Sequence, residues 1–245
     1  MKRFNENIAK QLFRYRGQLP IILVAMAIIV IYNYHSISFI EEFLGKSIHI
    51  FLFLFLIFLG HLLRALVIGY RGVHTSGQNR HNQVAEELNT TGLYSIVRHP
   101  LYLGNFLIWN GIFVLIGNLW FLLLGCCFFF IIYIPIMKLE NNFLKKKFGE
   151  EYIIWAKRTN MFVPALKMMR RPKVKFSFKI VWKNEYPGII STLSSIWFIF
   201  FLQLIFLKGI IAISFPLIIF AITIFIFGLT SRYLKYKTKF FPKTS

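Results

Sequence analysis

The chain has 245 residues, is 57% hydrophobic with a mean hydropathy of +0.61, and carries a formal net charge of +20. Only 16% of its residues are charged, which excludes an ordinary soluble domain and describes a polytopic membrane protein. The basic residues lie between apolar runs, so they read as topology determinants and contacts to anionic lipid, and nucleic acid is not an expected partner.

A basic start with Lys2, Arg3, Lys10, Arg14 and Arg16 precedes the first apolar run, at about 19–34. That run is long and has no small-residue cleavage site, so no cleavable signal peptide is expected. A connection with Glu41, Glu42 and Lys46 leads to a second run, about 48–70, interrupted by His61 and Arg64. Ionisable groups at that depth are functional candidates, although an arginine can also snorkel to the interface. A polar loop over 71–89 contains Gly72, Gly77, Gln78, Asn79 and Arg80.

The third run, about 101–116, and the fourth, about 119–137, are separated only by the turn signal Gly117-Asn118. The fourth run contains the adjacent Cys126 and Cys127, which form neither a structural disulfide nor a chelating pair. Beyond it Phe143, Leu144, Phe148, Tyr152 and Trp155 recur at helical spacing, with Lys145, Lys146, Lys147 and Lys157 off that stripe. This predicts a separate amphipathic helix on the cytoplasmic interface, either roofing a site or merely anchoring to lipid. A basic linker over 167–183 is expected to be a solvated or lipid-touching loop. The fifth run, 187–207, and the sixth, 209–229, are split at Lys208-Gly209, and Pro216 is expected to kink the sixth.

Each run approaches the ~20 residues that cross a bilayer. The fold expected is therefore an all-α, polytopic transmembrane helix bundle of about six spans, with a hairpin of the third and fourth runs. Nearly all Lys and Arg fall on one side, where both termini are placed as cytoplasmic. Three stretches are expected: 1–78 with the first two spans, 79–166 with the hairpin and amphipathic helix, and 167–245 with the linker, last two spans and basic tail.

The most informative stretch joins the polar loop to the third run: Thr90-Thr91-Gly92-Leu93-Tyr94-Ser95-Ile96-Val97-Arg98-His99-Pro100-Leu101-Tyr102-Leu103-Gly104-Asn105. Pro100 suits a first helical turn because its missing N–H has no intrahelical partner there. The helix N-terminus beside Arg98 and His99 then favours a carboxylate or phosphate. The hairpin returns the chain to the side it left, so Glu140 meets Arg98-His99 at the same face, within a helix spacing of ~8–10 Å. There is no Asp and Glu is scattered, so no metal site is expected.

Gly-x-Tyr-x-x-x-Arg-His-Pro-x-Tyr-x-Gly, followed by Glu140 and Phe148-Gly149-Glu150-Glu151-Tyr152, resembles the integral-membrane methyltransferases. These comprise the isoprenylcysteine carboxyl methyltransferases, the phospholipid N-methyltransferases and their bacterial relatives. The resemblance covers about 79–164. It implies a protein of the bacterial inner membrane that uses S-adenosylmethionine to methylate a lipophilic small molecule or lipid. The cofactor contacts it implies fall on Glu87, Leu88, Asn89, Tyr94, Arg98, His99, Pro100, Leu101, Tyr102, Gly104 and Glu140.

In chemical terms, Arg98, His99 and the helix start would bind the cofactor's carboxylate. Glu140 would accept from its ammonium or ribose at the opposite end, and Tyr94 and Tyr102 would pack on adenine or face the sulfonium. Gly104 would admit a ligand or a neighbouring helix. Methyl transfer is an in-line displacement that alignment can largely catalyse, so no catalytic residue is assigned, His99 being the candidate base. Arg64 and Lys138 are candidate substrate contacts.

Asn141 and Asn142 stand where isoprenylcysteine enzymes often have acids, and Ile136 replaces their substrate arginine. A prenylcysteine substrate is therefore the part of the resemblance least supported. Two alternatives remain at this stage: an NADPH-dependent membrane reductase of the sterol reductase kind, and a non-enzymatic membrane transport protein.

Overall fold

The computed structural model describes residues 6–33, 44–70, 86–165, 169–208 and 214–238, with the side chains of 207 and 208 left out. Among them the regular elements are helical: α1 (Glu6–Tyr15), α2 (Pro20–Asn33), α3 (Lys46–Gly69), α4 (Pro100–Ile116), α5 (Leu119–Arg158), α6 (Phe178–Lys208) and α7 (Phe215–Lys237). A 3-10 turn at Leu93–Ser95 lies between α3 and α4. The glycine-rich loop expected over 71–89 falls mostly outside the described residues.

Four helices, α3, α5, α6 and α7, are long and apolar enough to cross a membrane. A fifth span results if α1 and α2, bent by 72° at a short break, count as one. The about six spans expected are thus not all found among the described residues. The difference lies in α4, which is apolar throughout but has only 17 residues. At 1.5 Å per residue it is about 26 Å long, short of the ~30 Å hydrocarbon core. The outer faces of these helices are apolar as lipid contact demands: Phe58, Ile131, Phe215 and Phe225 are all well exposed.

The α4–α5 hairpin forms at the expected turn. Gly117 adopts a left-handed conformation (φ 83°) that ends α4, and the Asn118 side chain accepts a hydrogen bond from the Phe121 N–H at 2.9 Å to start α5. Aromatic rings fill the hairpin: Trp109, Phe113, Phe129 and Tyr133 are all buried. The Phe129 and Tyr133 rings stack at 4.1 Å.

Helix α4 packs still more closely on α3, through glycines. A methyl group added to Gly104 would lie 2.6 Å from the Arg64 Cγ and 3.0 Å from the Gly60 carbonyl oxygen. One added to Gly111 would meet the Ile57 Cγ1 at 2.6 Å. Between these apolar helices, small residues let the backbones approach and gain dispersion contact. Gly104 therefore admits a neighbouring helix.

Several boundaries differ from the sequence expectation. The fourth run stays helical through residue 148, and the amphipathic stripe is divided by a kink at the non-helical Gly149 (φ 53°, ψ −119°), where a second helical piece begins and runs to Arg158. Nothing between 137 and 148 breaks helical hydrogen bonding, so Glu140 lies inside a helix. Pro216 starts α7 and does not kink it, because at the first turn its missing N–H costs nothing. Pro187 lies inside α6, which already begins at Phe178.

The segment before α6 is also packed where a solvated loop was expected. Gly92 and Arg170 pair as an isolated antiparallel bridge, and the Arg170 N–H donates to the Ser95 Oγ at 2.9 Å. The Ser177 N–H donates to the Gly69 carbonyl, and the Phe176 ring meets Tyr70 edge-on at 5.2 Å. Lys167 lies outside the described residues.

Candidate functional site

The 3-10 turn at Leu93–Ser95 is closed locally, with Gly92 at φ 58° and the Ser95 hydroxyl donating to the Gly92 carbonyl. The chain then runs through Arg98 and His99 into α4, with Pro100 buried at its first turn. This delivers Arg98, His99 and Tyr102 to the end of α4 that faces the middle of α5.

There the hairpin joins them to Glu140. The His99 Nδ1 lies 3.3 Å from one Glu140 carboxylate oxygen, and the Tyr102 hydroxyl donates to the other at 2.8 Å. The His99 Nε2 lies 3.1 Å from the Asn141 Oδ1. With oxygen facing both ring nitrogens, both contacts are hydrogen bonds when the ring is an imidazolium. A neutral ring carrying Nδ1–H keeps the Glu140 bond and takes a rotated Asn141 amide. The His99 and Tyr102 rings stack at 5.6 Å, so Tyr102 is occupied by His99, Glu140 and Tyr133.

Arg98 sits apart from this unit. Its backbone N–H donates to the Asn160 carbonyl at 2.8 Å, and its guanidinium reaches the Tyr152 hydroxyl at 3.4 Å. Its Nε is buried without a hydrogen-bond partner among the described residues. A buried donor of that kind is costly unless it meets an acceptor. The sequence reading set Arg98 and His99 together against Glu140. The structure instead pairs His99 with Glu140 and leaves Arg98 as the separate cation.

The distal part of α5 covers the site from outside. Tyr152 and Trp155 are buried, and the Trp155 indole N–H donates to the Tyr94 carbonyl at 3.0 Å. The strand-like stretch after α5 lies along the signature segment, with a parallel bridge between Val97 and Asn160 and an Ala165 N–H bond to the Ile96 carbonyl. Docking onto protein, not lipid anchorage alone, therefore accounts for the aromatic stripe. A cavity of about 160 Å³ beside this roof is lined by Ser95, Glu151, Trp155, Arg158 and Arg170.

The remaining sequence candidates separate. Asn89 closes a local turn, its side chain accepting from the Thr91 N–H at 3.2 Å. Glu87 is exposed, while Leu88, Tyr94 and Leu101 are half-buried. Lys138 is exposed on α5, outside the cluster, and Ile136 is fully buried. Cys126 donates to the Asn110 side chain at 2.9 Å, and both cysteines are free.

A second polar centre lies deeper, between α3, α4, α5 and α6. Arg64 makes a bidentate pair with Glu185, at 2.6 and 2.7 Å, and donates to the Asn105 Oδ1 at 2.5 Å. The Asn105 amide in turn donates to the Tyr133 hydroxyl at 3.2 Å. The His61 Nε2 lies 3.1 Å from the Thr192 hydroxyl. Sequence reasoning flagged Arg64 and missed Glu185, Asn105 and Tyr133. The one available signal was Glu185 itself, a lone acid at the head of an apolar run.

Residues 48–151 match the family model described as phospholipid methyltransferase. The match runs from α3 across the signature segment and most of α5. The chain is also similar to the nickel-cobalt-cadmium resistance protein NccN of Alcaligenes xylosoxydans xylosoxydans, at 33% identity over 84 residues. That stretch is 34% of this chain and covers 39% of the length of that relative. No solved structure matches.

Proposed function

From the match of residues 48–151 to the phospholipid methyltransferase family model, we propose that the protein transfers a methyl group from S-adenosylmethionine to a lipophilic acceptor in the bilayer. The observation that carries this reading is the unit of His99, Tyr102 and Glu140 at one end of the α4–α5 hairpin, with Arg98 as a separate cation against Tyr152 of the distal part of α5. The buried, unpartnered Arg98 Nε is a donor suited to the cofactor's carboxylate. Glu140, held by His99 and Tyr102, is the acceptor for its ammonium or ribose hydroxyls.

The chemistry asks little more of the protein. In an in-line displacement the acceptor's lone pair attacks the methyl carbon while the sulfonium leaves as a neutral thioether. Fixing the two reactants in line supplies most of the acceleration. His99 is the candidate to take a proton from an amine or hydroxyl acceptor. The acceptor approaches from the bilayer; Arg64, already paired with Glu185, and Lys138, exposed on α5, are the candidate cations for it.

The test is calorimetric titration of the purified full chain with S-adenosylmethionine and, separately, NADPH, each in the presence of a chelator. S-adenosylmethionine binds and NADPH does not. Saturable NADPH binding alone would favour a reductase, and loss of cofactor binding on chelation would show a metal requirement this reading does not contain.

We further place both termini in the cytoplasm, on the asymmetry of Lys and Arg between the two sides. Reporters inserted in the connection holding Glu42 and at the Asn118 turn then report from the outer side. An inward signal from either position overturns that orientation.

A further inference from the structure

Glu185 lies in α6, beyond the matched segment 48–151, and its carboxylate is only 3% exposed. Both of its oxygens are taken by Arg64 on α3. For holding two helices together, well-packed leucines would serve at least as well as a desolvated ion pair, so stability alone does not explain this arrangement.

The pair is not closed on itself. The third contact of the Arg64 guanidinium is Asn105, which sits three residues after Tyr102 on the same face of α4. With its oxygen bonded to Arg64, the Asn105 amide has its nitrogen directed at the Tyr133 hydroxyl. Tyr133 is 1% exposed and wedged against Phe129 and Trp109, so it has no freedom to seek another partner. Its ring lies 5.0 Å from that of Tyr102, whose hydroxyl holds Glu140, which holds His99. Four helices thus contribute to a path from Glu185 to His99 that is hydrogen-bonded except at one step, the ring contact between Tyr133 and Tyr102. In a low-dielectric interior each member of such a path constrains the next.

We propose that Glu185 is a positioning residue for the methyl-transfer site, acting through Arg64, Asn105 and Tyr133 to set Tyr102, Glu140 and His99. The proposal rests on the reading of that site given above. It makes the C-terminal helices part of the transfer machinery: α6 supplies the anion that orients Arg64, and Arg64 orients the amide that fixes Tyr133. Without Glu185 the guanidinium is left as an uncompensated charge, Asn105 loses its defined orientation, and Tyr102 loses the fixed wall on which it rests.

The experiment uses the full chain in lipid nanodiscs with labelled histidine, the His99 signal being assigned by its loss in His99→Gln. The double variant Arg64→Leu/Glu185→Leu removes the ion pair and leaves no orphan charge, and Tyr133→Phe removes only the hydroxyl that Asn105 holds. Both shift the His99 imidazole resonance, and both weaken S-adenosylmethionine binding about tenfold, with melting temperatures near that of the parent.

An unchanged His99 signal in folded Tyr133→Phe, or in the folded double variant, overturns the proposal and reduces the pair to a helix clamp. If the double variant does not fold, Tyr133→Phe decides alone. If the parent binds no S-adenosylmethionine, the cofactor reading fails. The His99 signal then decides separately whether Glu185 is coupled to that site.

Discussion

Glu140→Gln weakens S-adenosylmethionine binding by about ten- to a hundredfold, the ~1.5–3 kcal/mol that a charge-assisted hydrogen bond contributes. The structure explains why an isosteric change suffices. A glutamine oxygen can still accept from the Tyr102 hydroxyl, but its amide then presents a donor to the His99 Nδ1, where the carboxylate presents an acceptor. The bond from a His99 Nδ1–H is lost, and with it the negative charge that the proposed site offers the cofactor. His99→Ala acts in the same direction because it frees Glu140 from one side.

The Glu140 side chain is 21% exposed and Glu140→Gln is isosteric, so that variant melts near the parent temperature, whereas the His99 side chain is only 4% exposed and His99→Ala, which leaves a buried gap, melts lower. Arg232→Ala, at an exposed basic position near the end of α7, changes cofactor affinity little. The dissociation constants of all three, with their melting temperatures, check the result. Parent-like binding by Glu140→Gln would reduce Glu140 to a structural hydrogen-bond acceptor.

Gly104→Val destabilises the protein by about 1–3 kcal/mol, lowering the melting temperature by roughly 2–12 °C. The added carbon atoms must displace the Arg64 stem and the backbone carbonyl of Gly60, which lie within 2.6–3.0 Å of the first of them. The carbonyl is the harder obstacle, because moving it means moving α3. The same displacement disturbs the Arg64 contacts to Glu185 and Asn105. At Gly188, in α6, an added methyl group meets nothing within 4 Å, so Gly188→Ala leaves the melting temperature unchanged or raises it. Thermal unfolding of the two variants side by side separates a packing effect from a general intolerance of side chains at helical glycines.

The sequence by itself determined the class and much of the architecture. Composition required a membrane protein, and the Gly117-Asn118 turn between two apolar runs required a hairpin with Glu140 beside the signature segment. These features are local or topological: a turn needs only its own residues, and a hairpin fixes which ends meet. Tertiary structure decided what local pattern cannot carry. Where the chain bends between the fourth run and the end of the amphipathic stripe depends on where it finds a partner; it kinks at Gly149, and Trp155 finds the Tyr94 carbonyl. Whether His99 stands with Arg98 or with Glu140 depends on side-chain direction at the mouth of α4, where adjacent residues point to different neighbours. The pairing of Arg64 with Glu185, 121 residues away, was invisible because a lone charge in an apolar run has no sequence signature for its partner. Only the packing of α6 against α3 brings the two within reach, and desolvation then makes each the other's necessary counter-ion.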